Sequence, residues 1–124
     1  MNVVDSCGWL EYFADGANAS FFAPAILDEE HLIVPTICLY EVFKRMSAQR
    51  SKEAALDAAS RLYRSRLVEL SDEIALEAAQ VALAFKLPMA DSIIYATAQA
   101  HNATIWTQDE HFKGLPNVQY IAKP

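Results

Sequence analysis

Four carboxylates, Asp5, Glu41, Asp91 and Asp109, are the residues through which this chain could do chemistry as a group. Two of them sit in one stretch, LPMADSIIYATAQAHNATIWTQDEHF, from Leu87 to Phe112. Ala90 to His101 reads as a helix: Ile93, Ile94 and Ala98 recur at core spacing, and Pro88 cannot sit deep inside it. Asn102 is a natural stop, and Thr104 to Thr107 (TIWT) is a short β-rich run. A crossover helix runs antiparallel to the strand it feeds, so the helix start and the strand end share one edge of a sheet. Twelve helical residues span about 18 Å and four strand residues about 13 Å, lengths that roughly match. Asp91 and Asp109 are therefore expected to meet.

The rest of the chain brings two more acids to that edge. Val3 and Val4 read as a buried strand ending at Asp5, with a helix at once behind it, broken by Asp15-Gly16. Ser20 to Glu30 reads as a second helix, interrupted or started near Pro24. Leu32 to Val34 is a strand ended by Pro35, and Thr36 is the expected N-cap of the next helix, whose second turn holds Glu41. Ser51 to Leu62 is an Ala-rich helix forming an αα-hairpin with it. Leu67 to Leu70 reads as a strand, Ile74 to Phe85 as a helix opened by Ser71-Asp72-Glu73, and Val118 to Ile121 as a last strand. Strands alternating with helices imply a mainly parallel sheet covered on both faces, a three-layer α/β/α sandwich. In such sheets the ligand site lies outside the carboxyl ends of the strands, where strand order reverses.

Carboxylates gathered within a few ångströms repel, and a hard divalent cation resolves the conflict; Mg²⁺ or Mn²⁺ suits an all-oxygen site. Each acid also has an ordinary reading. Asp91 is placed to stabilise a helix start, Asp5 to cap a helix, Glu41 to pair with Lys44 or Arg45, and Asp109 to sit in a turn. These explanations are independent, so the convergence of all four carries the metal reading. Ser6 and Thr107 flank the cluster, their hydroxyls able to hold a metal-bound water, a carboxylate oxygen or only local backbone. Glu110 is read as a solvated acid. His31, His101 and His111 form no pair with metal-ligand spacing, which argues against zinc.

Composition bounds the function further. With 124 residues, 53% of them apolar, the chain is expected to form one domain spanning residues 1–124 with a real core. No apolar run approaches the length of a membrane span, and no signal-like leader opens the chain, so a cytoplasmic protein without membrane contact is expected. Cys7 and Cys38 read as small buried hydrophobes of a reducing compartment, although a disulfide stays open. The formal net charge of −6 argues against gripping nucleic acid with the whole surface. Seven of the ten Lys and Arg residues nevertheless fall between Lys44 and Arg66, as a solvated helix face or a phosphate-binding patch.

The residues resemble a known family. MNVVDSCGWLEYF resembles the opening of PIN domains, PTICLYEVFKR their second acidic motif, and LPMADSIIYATAQ with TIWTQDEHF their third and fourth. Over nearly the whole length the pattern resembles the small VapC-type toxins, the ribonuclease half of bacterial toxin–antitoxin pairs. The resemblance implies a PIN fold, a Mg²⁺ or Mn²⁺ site and endoribonuclease activity on RNA. It further implies metal ligation by Asp5, Glu41, Asp91 and Asp109 with Thr107 beside them, a homodimer, and a cognate antitoxin that occludes the site. Cys7 and Gly8 depart from the usual larger or β-branched residues and are expected to loosen the first helix. The alternative is a PIN-like binding or scaffold domain without catalysis. An acidic phosphotransfer domain is disfavoured, because after Asp91 the only lysines are Lys113 and Lys123.

Overall fold

The computed structural model describes Met1–Pro124. Five strands form one sheet: β1 (Asn2–Val4), β2 (Leu32–Pro35), β3 (Arg66–Val68), β4 (Thr104–Thr107) and β5 (Val118–Tyr120). Their spatial order is β3-β2-β1-β4-β5, and every pairing is parallel. Six helices connect them: α1 (Ser6–Phe13), α2 (Ala19–Leu27), α3 (Thr36–Gln49), α4 (Lys52–Leu62), α5 (Asp72–Phe85) and α6 (Met89–Ala100). The chain steps from β1 to β2 to β3 in one direction, then returns past β1 to β4. Right-handed crossovers therefore lay the first four helices on one face and the last two on the other. The order reverses at β1, so the switch point lies between β1 and its neighbour β4.

The parallel sheet explains the apolar strands. β2 is buried at all four positions, as a strand covered on both faces must be. Val3, Val4, Leu32, Ile33, Val34 and Ile105 join Trp9, Phe22, Ile94 and Tyr95 in a continuous core. Each such fully buried aliphatic side chain contributes about 1.5–3 kcal/mol, enough to fix the centre of the sheet on which the acids depend. No single helix is long and apolar enough to cross a membrane.

Local differences from the expected elements have packing causes. α2 runs through Pro24 instead of starting there and ends at Leu27, with a short 3₁₀ turn, Glu29–His31, completing the connection. Burial of Phe22, Ala25 and Ile26 outweighs the hydrogen bond that the proline removes. Thr36 does not cap α3: Pro35 occupies the cap position with no side-chain hydrogen bond, while still pairing with Val68 as the last residue of β2. Ser51 and Ser71 do cap α4 and α5, their hydroxyls accepting from the backbone N–H groups of Ala54 and Ile74. Asn102, at φ 51°, ends α6 in the left-handed conformation.

The expected loosening at Gly8 is not found. A Cβ there would stand 2.6 Å from Phe22 Cε1 and 2.8 Å from Val4 Cγ1. Glycine lets α1 press against α2 and β1, and it tightens the element behind Asp5.

Candidate metal centre

Each of the four acids leaves from the same sheet edge. Asp5 directly follows β1 and caps α1, its Oδ1 accepting from the Ser6 backbone N–H at 2.7 Å. Glu41 lies in the second turn of α3, Asp91 in the first turn of α6, and Asp109 two residues beyond β4. All four line one cleft of about 580 Å³ beside the switch point. Lys44, Arg45 and Lys123 line it too.

Hydroxyls hold the acids in place. Ser6 Oγ donates to Glu41 Oε1 at 2.7 Å, so the partner of Glu41 is this hydroxyl and not Lys44 or Arg45. The Lys44 ammonium instead lies over the Tyr40 ring, 5.6 Å from its centroid. Thr107 Oγ1 donates to Asp5 Oδ2 at 2.8 Å and accepts the Asp109 backbone N–H at 2.9 Å. One threonine thus couples the ends of β1 and β4, and its full burial keeps water from competing.

The cluster is electrostatically strained. Asp5, only 3% exposed, has its pKa pushed up to about 6, chiefly by desolvation; its hydrogen bonds to Thr107, Cys7 and Ser6 oppose the rise and the charge of Asp109 adds to it. Asp91 is raised to about 7 by desolvation and by the charges of Asp5 and Asp109. Acids that desolvation and neighbouring carboxylates raise toward neutrality, even with His111 beside Asp91 opposing the rise, are a donor set a divalent cation would suit. The residues present suit such an ion: Asp91 and Asp109 offer oxygens at ligand spacing, and Asp5 and Glu41 line the same cleft beside them.

Two site residues escape the reading of spacing. His111 Nδ1 lies 3.0 Å from Asp91 Oδ2 and 3.1 Å from Asp109 Oδ1. One ligand atom from each of these three residues falls within 4.8 Å of the others. The only sequence signal is its position two residues after Asp109, where a 3₁₀ turn (Glu110–Phe112) folds the chain back. Cys7 is not a buried hydrophobe: half-buried, its Sγ stands 3.2 Å from Asp5 Oδ2 and 3.5 Å from Thr107 Oγ1. Cys38 is fully buried, and both cysteines are free thiols. Glu110 is exposed, as a solvated acid should be.

The basic region divides. Lys44 and Arg45 face the acidic cleft, whereas Arg50, Arg61 and Arg64 line a second groove of about 410 Å³ with Tyr12, Phe13 and Met46. There Arg64 Nε stands 3.0 Å from Glu29 Oε2 and Arg61 Nε 3.8 Å.

The PIN domain family model matches residues 3–118, which takes in all four acids. The chain belongs to the PIN domain family. Solved structures agree in fold. A toxin–antitoxin complex from Klebsiella pneumoniae superposes with a TM-score of 0.81 at 22% identity, over 96% of each chain. VapC20 of Mycobacterium tuberculosis, a toxin that cleaves the sarcin-ricin loop, gives 0.80 at 15% identity, over 95% of this PIN domain chain and 97% of its own. VapBC2 from Rickettsia felis, bound to a DNA fragment from its promoter, gives 0.74 at 16%, over 98% and 97%. No curated protein matches the chain by sequence.

Proposed function

We propose that this PIN chain is a single-domain, Mg²⁺- or Mn²⁺-dependent endoribonuclease, the toxin of a toxin–antitoxin pair. The observation that carries the reading is the convergence of Asp5, Glu41, Asp91 and Asp109 at a switch-point cleft in a member of this family. A scaffold has no use for carboxylates gathered in one cleft, two of them raised toward neutrality chiefly by burial.

A divalent cation bound there supplies the charge that stabilises a phosphodiester's developing negative charge and that acidifies water for attack. The chain's own residues do the rest. Ser6 orients Glu41, and Thr107 orients Asp5 while tying down the backbone of Asp109. Lys44, Arg45 and Lys123 at the cleft supply cations for RNA phosphates, a local answer to the net negative charge. Cys7 is no nucleophile: burial and the charge of Asp5 push its thiol well above the ordinary range, so it stays protonated. Hydrolysis thus runs without a covalent enzyme intermediate.

The same reading includes a cytoplasmic homodimer and a cognate antitoxin that occludes the cleft. Support for the antitoxin comes from neighbours solved as toxin–antitoxin complexes, and from the groove between α1, α3 and α4, whose aromatic and arginine lining suits a protein segment. For the homodimer, Leu76 and Leu83 stand on α5 at 73% and 79% exposure. The test is RNA cleavage by wild type, Asp5→Asn and Asp91→Asn with Mg²⁺, Mn²⁺ or EDTA. Activity that depends on metal and is lost in both variants is expected. Full metal-dependent cleavage by either variant overturns the assignment.

A further inference from the structure

His111 belongs to the site on geometry alone. Its Nδ1 stands almost equidistant from two carboxylates carried by different elements, Asp91 on α6 and Asp109 beyond β4. Ligands about 2.1 Å from an octahedral cation stand ~3.0 Å apart along each edge of the octahedron. The two observed separations, 3.0 and 3.1 Å, are hydrogen-bond distances that also match that edge. A cation could therefore replace the shared proton with little movement of the three side chains. The backbone that carries the ring is fixed on both sides. Asp109 Oδ1 accepts the His111 N–H at 2.9 Å, and the next residue, Phe112, is fully buried and stacked on Tyr95. The ring itself is 55% exposed, so it can turn in place without disturbing the core.

We propose that His111 Nδ1 is a nitrogen ligand of the cation held by Asp91 and Asp109, and that it biases this centre toward Mn²⁺ over Mg²⁺. The proposal rests on the metal-dependent reading above and adds a specificity-determining residue to it. Imidazole suits transition metals, while Mg²⁺ prefers oxygen ligands and retained water. One imidazole among carboxylates therefore discriminates between ions that an all-oxygen site treats more alike. The competing role is a resident cation: an imidazolium that neutralises Asp91 and Asp109 and must leave when metal arrives. The two roles predict opposite effects of removing the ring.

Pulsed electron paramagnetic resonance of the Mn²⁺-loaded protein reads the nitrogen directly, and calorimetric titration reads affinity. Wild type is expected to show ¹⁴N coupling to Mn²⁺ that His111→Ala loses. The variant is expected to bind Mn²⁺ on the order of ten-fold more weakly or worse, with a smaller loss for Mg²⁺. His31 beside Asp28 remains in the variant, so a lost signal belongs to His111. Bound Mn²⁺ without nitrogen coupling, or tighter Mn²⁺ binding by His111→Ala, overturns the ligand role and leaves the metal-dependent reading intact. Failure of both proteins to bind Mn²⁺ overturns the proposal together with its basis.

Discussion

Replacing Asp5 with asparagine should make the metal-free protein more stable while abolishing its activity. Asp5 is nearly inaccessible, and its carboxyl is raised from 3.8 to about 6. At pH 7 it is ionised in both folded and unfolded chains, so folding carries the whole cost of the shift. Two pKa units and a fraction correspond to about 3 kcal/mol. An amide keeps the shape and removes the charge. It keeps an oxygen to accept the Ser6 N–H, but it reverses one contact, because Thr107 Oγ1 now donates to the carboxylate and would meet an NH₂ group. Loss or reversal of one buried hydrogen bond costs about 1 kcal/mol, leaving a net gain of about 2 kcal/mol. For a domain of this size that gain raises Tm by roughly 8 °C. Thermal unfolding followed by circular dichroism at pH 7 in EDTA measures it. Near pH 4 the wild-type carboxyl holds its proton when folded, so the desolvation gain nearly vanishes while the hydrogen-bond cost remains. The advantage of the variant should there disappear or change sign. Saturating Mg²⁺ or Mn²⁺ should reverse the order, because only wild type retains the full donor set. An Asp5→Asn protein less stable than wild type at pH 7 in EDTA would refute the reasoning, since the hydrogen bonds would then outweigh desolvation.

Other outcomes follow from the same geometry. Asp5 and Asp91 are both raised, to about 6 and about 7, so between pH 4 and 7 the folded chain holds protons the unfolded chain has released. Stability without metal should therefore fall as pH rises through that window and level off above it; urea unfolding at several pH values checks this, and a flat profile argues against the shifts. Ser6→Ala frees Glu41 from its 2.7 Å hydrogen bond and should lower the cleavage rate on the order of ten-fold with little change in stability, which single-turnover kinetics would reveal. Gly8→Ala drives a methyl group into Phe22 and Val4 and should cost about 1–3 kcal/mol in chemical denaturation. Lys44→Glu with Arg45→Glu should raise KM for RNA and flatten its salt dependence while kcat holds nearly constant.

The sequence by itself determined the alternation of elements and therefore the sheet edge to which the acids would come. β4 lies at the expected residues because TIWT is β-branched and aromatic, and α6 differs by one residue at each end because Pro88 and Asn102 bound it in local, backbone terms. Asp5, Glu41, Asp91 and Asp109 were legible for related reasons. Asp5, Glu41 and Asp109 follow strand ends closely, Asp91 opens the helix that runs back to feed β4, and a parallel sheet puts strand ends and those helix starts on one side. Ends set by packing were less legible. Nothing local in the sequence says that α2 continues through Pro24 or that Pro35 replaces Thr36 at the head of α3.

What only the tertiary structure decided are contacts between residues distant in sequence. Thr107 reaches Asp5 across 102 positions, and Ser6 reaches Glu41 across 35. His111 meets Asp91 across 20 positions, invisible to a search for paired histidines because its partners are carboxylates. Cys7 looked apolar from its neighbours, yet the first turn of α1 aims its sulfur at Asp5. Helical and strand periods fix which face a residue takes. Which side chains then touch, and how far burial moves their pKa values, depends on the packing of elements that the chain brings together only when folded.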